Sequence, residues 1–71
     1  MSTLNDHLLA AHEAGDITSL IDLYTQAGDS SQGSDAAAFY LTHAMVFALE
    51  LGDPRAAVLR ARLVAEGREE A

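Results

Sequence analysis

The sequence predicts an all-α fold of four antiparallel helices arranged as two helical hairpins. Three observations carry that expectation. No stretch alternates apolar and polar residues at period two, and β-branched residues are sparse, which argues against strands. Apolar residues recur instead at three- and four-residue spacing. Twice, at Gly15-Asp16 and Gly52-Asp53, a glycine able to close one helix is followed at once by an aspartate able to open the next.

Helix one is expected over residues 4–14. Thr3 is placed to cap its first amides, with Asp6 three positions on in the manner of a capping box. Leu4, Leu8 and Ala11 form its apolar stripe, and Gly15 supplies a left-handed terminator. Asp16 opens helix two, its carboxylate accepting from unpaired amides at the positive end of the helix dipole. Ile17, Leu20, Ile21, Tyr24 and Ala27 make the buried side, Thr18, Asp22 and Thr25 the wet one, and Gly28 the end. The polar segment 29–34 is the only loop of any length. Ser34 caps helix three, residues 35–51, whose polar residues after the first turn are Thr42, His43 and Glu50. A helix apolar nearly all round is expected in the middle of the molecule, covered from several sides. Gly52, Asp53 and Pro54 close it and open helix four, with proline at a first helical position that needs no N–H. Helix four is expected to bury Ala57, Val58, Ala61, Val64 and Ala65, and the chain to fray over 66–71. Connections this short leave paired helices antiparallel and in contact. Hairpin one then spans 4–28 and hairpin two 35–66 of a single domain, 1–71.

Seventy-one residues hide only about 60% of the surface their unfolded chain exposes, so an isolated protomer is marginal. There is no cysteine, which removes disulfides, thiolate nucleophiles and thiolate metal sites. The net charge of −7 is unevenly spread: eight acids and no base in residues 1–54, four arginines and three glutamates in 55–71. A field of this sign repels phosphate, which argues against nucleic acid as a ligand. It suits a cationic partner or the arginine end of another copy, and it serves solubility in any case. The first residues lack the basic stretch of a secretory signal. The longest unbroken apolar runs have six residues against the roughly 20 that cross a bilayer. No membrane contact and a cytoplasmic location are the expectation.

Laying Gly15-Asp16 over Gly52-Asp53 gives an offset of 37 residues, at which Leu4 meets Leu41, Leu8 meets Met45 and Ala11 meets Ala48. Coinciding apolar positions and turn chemistry mark a duplicated helical unit. In "EAGDITSLIDLYTQA" and "ELGDPRAAVLRARLV" the chain resembles the tetratricopeptide repeat family, whose unit is two antiparallel helices joined at such a turn. Gly15, Asp16, Ile17, Ile21, Tyr24 and Ala27 match the family pattern, as do Gly52, Asp53, Ala57 and Val58 in the second unit. Leu8, Met45 and Leu20 stand where small residues are usual, and Ala61 where an aromatic is. No proline closes either unit, and the offset exceeds the usual 34. A plain four-helix bundle accommodates the same helices. The resemblance implies a scaffold that binds a protein or peptide on a concave face formed by each unit's first helix. Matched position by position, that face comprises Asn5, Leu9, His12, Thr42, Val46 and Leu49. It contains no lysine or arginine to clamp a carboxylate.

Two units are fewer than the three or so that usually make a stable stack, so a homodimer is expected. Leu59 and Leu63 lie one turn apart, off the Val58–Ala61–Ala65 stripe, where the first hairpin has the polar Asp22 and Gln26. Val58, Leu59, Arg62 and Leu63 are therefore the expected self-contact, about a two-fold axis.

Nothing in the chain composes a reaction centre. His7 and His12 are five residues apart and do not share a helix face as a metal pair would. No carboxylate sits in an apolar context that would raise its pKa, and no phosphate loop follows a strand. The reading is a non-enzymatic interaction module with no cofactor or metal. Its alternatives are a small-molecule- or metal-responsive bundle with a pocket near Tyr24, Tyr40 and His43, and an acidic mimic of nucleic acid.

Overall fold

Both glycine–aspartate corners fold as hairpin turns. Gly15 and Gly52 take left-handed φ angles of 67° and 68°, a region open to glycine at little steric cost. At each corner the aspartate N–H reaches back five residues, Asp16 to the Ala11 carbonyl at 2.9 Å and Asp53 to that of Ala48 at 2.8 Å. The glycine N–H groups bond to His12 and Leu49. This pair of bonds is the Schellman closure. A chain so closed must turn back, and two-residue corners leave its helices antiparallel.

The computed structural model describes residues 3–31 and 34–67. They form α1 (Thr3–Ala14), α2 (Ile17–Ser30), α3 (Asp35–Leu51) and α4 (Arg55–Ala65), with no strand among the described residues. The fold is all-α, as expected. Asp16 caps α2, accepting from the N–H of Ser19 at 3.2 Å and its hydroxyl at 2.7 Å. Ser34 caps α3 by accepting from the Ala37 N–H. At α4, Pro54 occupies the cap position with helical φ, and Asp53 behind it accepts from the Arg55 N–H at 2.8 Å. The capping role of Thr3 and the fraying of 68–71 lie outside the described side chains and residues; Glu66 and Gly67 form a turn.

Helix two does not end at Gly28. It continues to Ser30, and Gly28 is buried within it, where a Cβ would meet Leu41 Cδ2 at 2.7 Å. The missing side chain serves close approach of α2 to α3 rather than termination. The larger correction concerns α4. Its buried residues are Ala56, Leu59 and Leu63, while Ala57, Ala61 and Ala65 are exposed and Val58 is 61% exposed. The helix has two apolar sides, and the side with two leucines removes more surface from water than the side of alanines. Relative to the 37-residue alignment, the buried stripe is one position out of step.

Backbones pack only between helices consecutive in the chain, most extensively α2 with α3. Ile21, Leu41, Ala44, Met45, Ala48, Ala56, Leu59 and Leu63 form the core. Ala37, Ala44 and Ala48 on α3 are fully buried, and their small side chains let α2 and α4 lie close. The Cα envelope measures 33 × 28 × 11 Å. Two stacked layers of helices with axes 8–10 Å apart and a Cα radius of 2.3 Å would need roughly 13 Å or more. The four helices thus make a thin slab and do not close into a bundle. Helix three occupies the middle of the order, as expected, but in a slab its outer ridge is uncovered.

Candidate functional site

On α3 the residues Phe39, Thr42, Val46 and Leu49 follow one another at spacings of three and four, so they form one ridge. That ridge points away from Ala37, Leu41, Ala44 and Ala48, which the core holds. All four of its residues are exposed, Phe39 by 59% and Leu49 by 63%. Asp35 and Glu50 stand at its two ends by the same helical spacing. Leu9, on the outer side of α1, is exposed as well. Three exposed apolar side chains, Phe39, Val46 and Leu49, aligned on one ridge with Thr42 among them, in contrast to scattered ones, mark a docking surface.

Rings line the side of α3 that faces α1 and α2. Tyr24 stacks on His43 with centroids 5.3 Å apart and on Phe47 at 5.9 Å. His12 meets Phe47 edge-on at 6.1 Å, and its Nε2 lies 3.0 Å from the Tyr24 hydroxyl. His43 donates from Nδ1 to the Phe39 carbonyl at 2.9 Å. Aromatic pairs in these arrangements add about 0.5–1.5 kcal/mol beyond their buried area. Tyr24 thus stacks with both His43 and Phe47, and Tyr40 joins it at 6.3 Å. Among the described residues no group of three or more histidines and carboxylates is placed to hold a metal.

The expected concave set is exposed throughout: Asn5, Leu9 and His12 on α1, Thr42, Val46 and Leu49 on α3. The structure joins His12 to α3 through Phe47. Sequence reasoning missed Phe39, whose three-residue step to Thr42 extends the ridge by one turn. The expected self-contact is not brought together on any surface. Leu59 and Leu63 are 3% and 1% exposed, Arg62 is paired with Asp29 at 2.5 Å, and Val58 alone points outward. The cause is the rotation of α4 that brings its leucines into the core shared with Ile21 and Leu41.

Grooves cross the slab between neighbouring helices. One of about 490 Å³ lies between α1 and α2, lined by His7, Ala10, Ala14, Asp16, Ser19 and Asp22. Another, of about 410 Å³, lies between α3 and α4 and is lined by Met45, Leu49, Pro54, Ala57 and Arg60. Asp53 and Asp22 both bind the Arg55 guanidinium, and that hydrogen bonding holds the Asp53 carboxyl below its ordinary range while raising Arg55. Hydrogen bonds from Ser19 do the same for Asp16. These carboxylates are structural anchors of helix starts. No helix of the described residues is long and apolar enough to cross a membrane.

Fold and ridge together define a class, an all-α protein of consecutive helical hairpins with an uncovered apolar face on α3. Comparison with family models, curated proteins and solved structures finds no match to the chain.

Proposed function

We propose that the chain is a non-enzymatic protein–protein interaction module of the tetratricopeptide type, which docks a helical segment on the outer ridge of α3. The observation that carries this reading is the exposed row Phe39–Thr42–Val46–Leu49. Spacings of three and four over more than two turns are the pattern that another helix reads. A row of this kind left in water is a standing liability unless something covers it. The acids of residues 1–54 favour a cationic occupant over a nucleic acid, and the cytoplasm is the proposed location.

A photo-crosslinking residue at Thr42 tests the reading, with one at Thr18 on the outer side of α2 as control. Irradiation in native extract is expected to give discrete protein adducts from position 42 and few from 18. Absence of any protein adduct at 42, or equal labelling from both positions, overturns it.

A further inference from the structure

We infer that the helix seated on the α3 ridge is α4 of a second copy, the outer sides of the two α3–α4 hairpins packing about a two-fold axis into an intermolecular four-helix bundle. The inference rests on the reading of the ridge as a docking face and specifies its occupant.

Size is the first argument. The outer side of α4 carries Ala57, Ala61 and Val64 at spacings of four and three, with Ala57 and Ala61 exposed and Val64 half-buried. It is a row of small residues, where the α3 ridge carries the larger Phe39, Val46 and Leu49. Large rows laid on small rows interdigitate at ordinary helix separations, whereas large on large holds helices apart.

Placement is the second. The groove between α3 and α4 is lined by Leu49 on one bank and by Ala57 and Arg60 on the other. A second depression continues along α4 past Ala61 and Val64 to Ala65. Large and small rows thus lie side by side on one face of the hairpin. A two-fold axis along that groove sets each large row over the partner's small row at the same time, the self-complementary contact that a closed dimer requires.

Charge is the third. The α3 ridge ends in Asp35 and Glu50 and sits in a 54-residue stretch without a base. Arg60 stands on the small row of α4. Crossing α3 over the partner's α4 places acid near arginine, while pairing two α3 ridges places acid against acid. Arg55 and Arg62 lie on the other side of α4, bound to Asp22 and Asp29 of α2.

The chain lacks cysteine, so single cysteines report the contact directly. Val46→Cys and Ala61→Cys proteins are mixed and oxidised. Disulfide between the two species is expected to dominate, and a product confined to Val46→Cys pairs overturns α4 as the occupant. In sedimentation the unsubstituted chain is expected at twice its 7.5 kDa mass, and Ala61→Glu at the single mass with unchanged helical circular dichroism. A wild-type protomer that stays single at the highest concentration, or an Ala61→Glu protein that stays double, overturns the inference. If the protomer is single while Thr42 still captures a foreign protein, only the choice of occupant falls. If it is single and nothing is captured, the docking reading falls with it.

Discussion

Gly28 is pulled two ways by a substitution. Within a helix alanine is preferred over glycine by about 1 kcal/mol. A methyl group there would stand 2.7 Å from Leu41 Cδ2 and 2.8 Å from Cγ, and Leu41 is sealed in the core. Overpacking of this kind costs about 1–3 kcal/mol, so the contact outweighs the propensity. Gly28→Ala is expected to lower the unfolding free energy by about 1 kcal/mol in urea denaturation, and Leu41→Val to recover part of the loss. A raised midpoint would mean that α2 shifts freely against α3. The two corner aspartates respond to acid instead. Hydrogen bonds from Ser19 and from Arg55 hold Asp16 and Asp53 below the ordinary value of 3.8, so the unfolded chain takes up these protons first. Their contribution is complete above about pH 4 and is lost as pH falls through the lower folded-state values. Asn caps a helix about as well as Asp but does not titrate. Asp16→Asn is therefore expected to melt near the wild-type temperature at pH 7 and to lose less stability below pH 4. Superimposable melting curves across that range would remove the cap from the acid response.

Helix α1 is the element held most lightly. Among the residues whose burial is described, Ala11 is its one buried residue, Leu4 and Leu8 are half-buried, and its backbone packs on α2 alone. Helix α3, by contrast, buries five residues between α2 and α4. Few buried contacts mean a low free energy of local opening. Hydrogen exchange is expected to be fastest in the amides of α1 and slowest in 41–48 of α3, and equal protection would show that the slab opens only as a whole. The helices most legible in the sequence were those whose ends are set by local chemistry. Asp16, Ser34, Gly15 and Gly52 act through their own hydrogen bonds or dihedral angles, which neighbours in sequence suffice to determine. Gly28 was misread because its use depends on Leu41, a residue of another helix. The face of α4 was misread because two apolar sides compete there, and which side goes inward depends on what α2 and α3 offer. Ala56, Leu59 and Leu63 recur at three- and four-residue spacing as the expected stripe does, but the two leucines are larger than any residue of that stripe, and that difference was the available signal. The six positions named from the repeat, Asn5, Leu9, His12, Thr42, Val46 and Leu49, are all exposed, which is a property of each helix's own pattern and does not of itself make them a binding face. Leu59 and Leu63 were assigned to a surface only because their counterparts in the first hairpin are polar.

At the scale of the whole molecule, thinness decides the rest. A slab 11 Å thick between Cα extremes gives each helix one side on either broad face, so α3 cannot be enclosed by its own chain however apolar it is. The two ion pairs joining α2 to α4, Arg55 with Asp22 and Arg62 with Asp29, are half-exposed on their acidic side. Such pairs contribute about 0–1 kcal/mol each, less than a single well-buried leucine at about 1.5–3 kcal/mol. Stability must therefore come from the one-sided core, which for 71 residues is small. Covering the ridge with a second copy would add burial that the protomer lacks, and such coupling shows as mass action. The melting temperature of the wild-type chain is expected to rise with protein concentration, because unfolding then includes separation of the copies. Ala61→Glu is expected to melt at a lower temperature that does not change with concentration, although Ala61 is exposed on the outer side of α4. Added salt should lower the wild-type value at fixed concentration to the extent that Arg60 meets the acids of the opposing ridge. A wild-type melting temperature constant over a hundredfold range of concentration would mean that the one-sided core suffices alone, and that the slab is a monomer presenting its ridge to water.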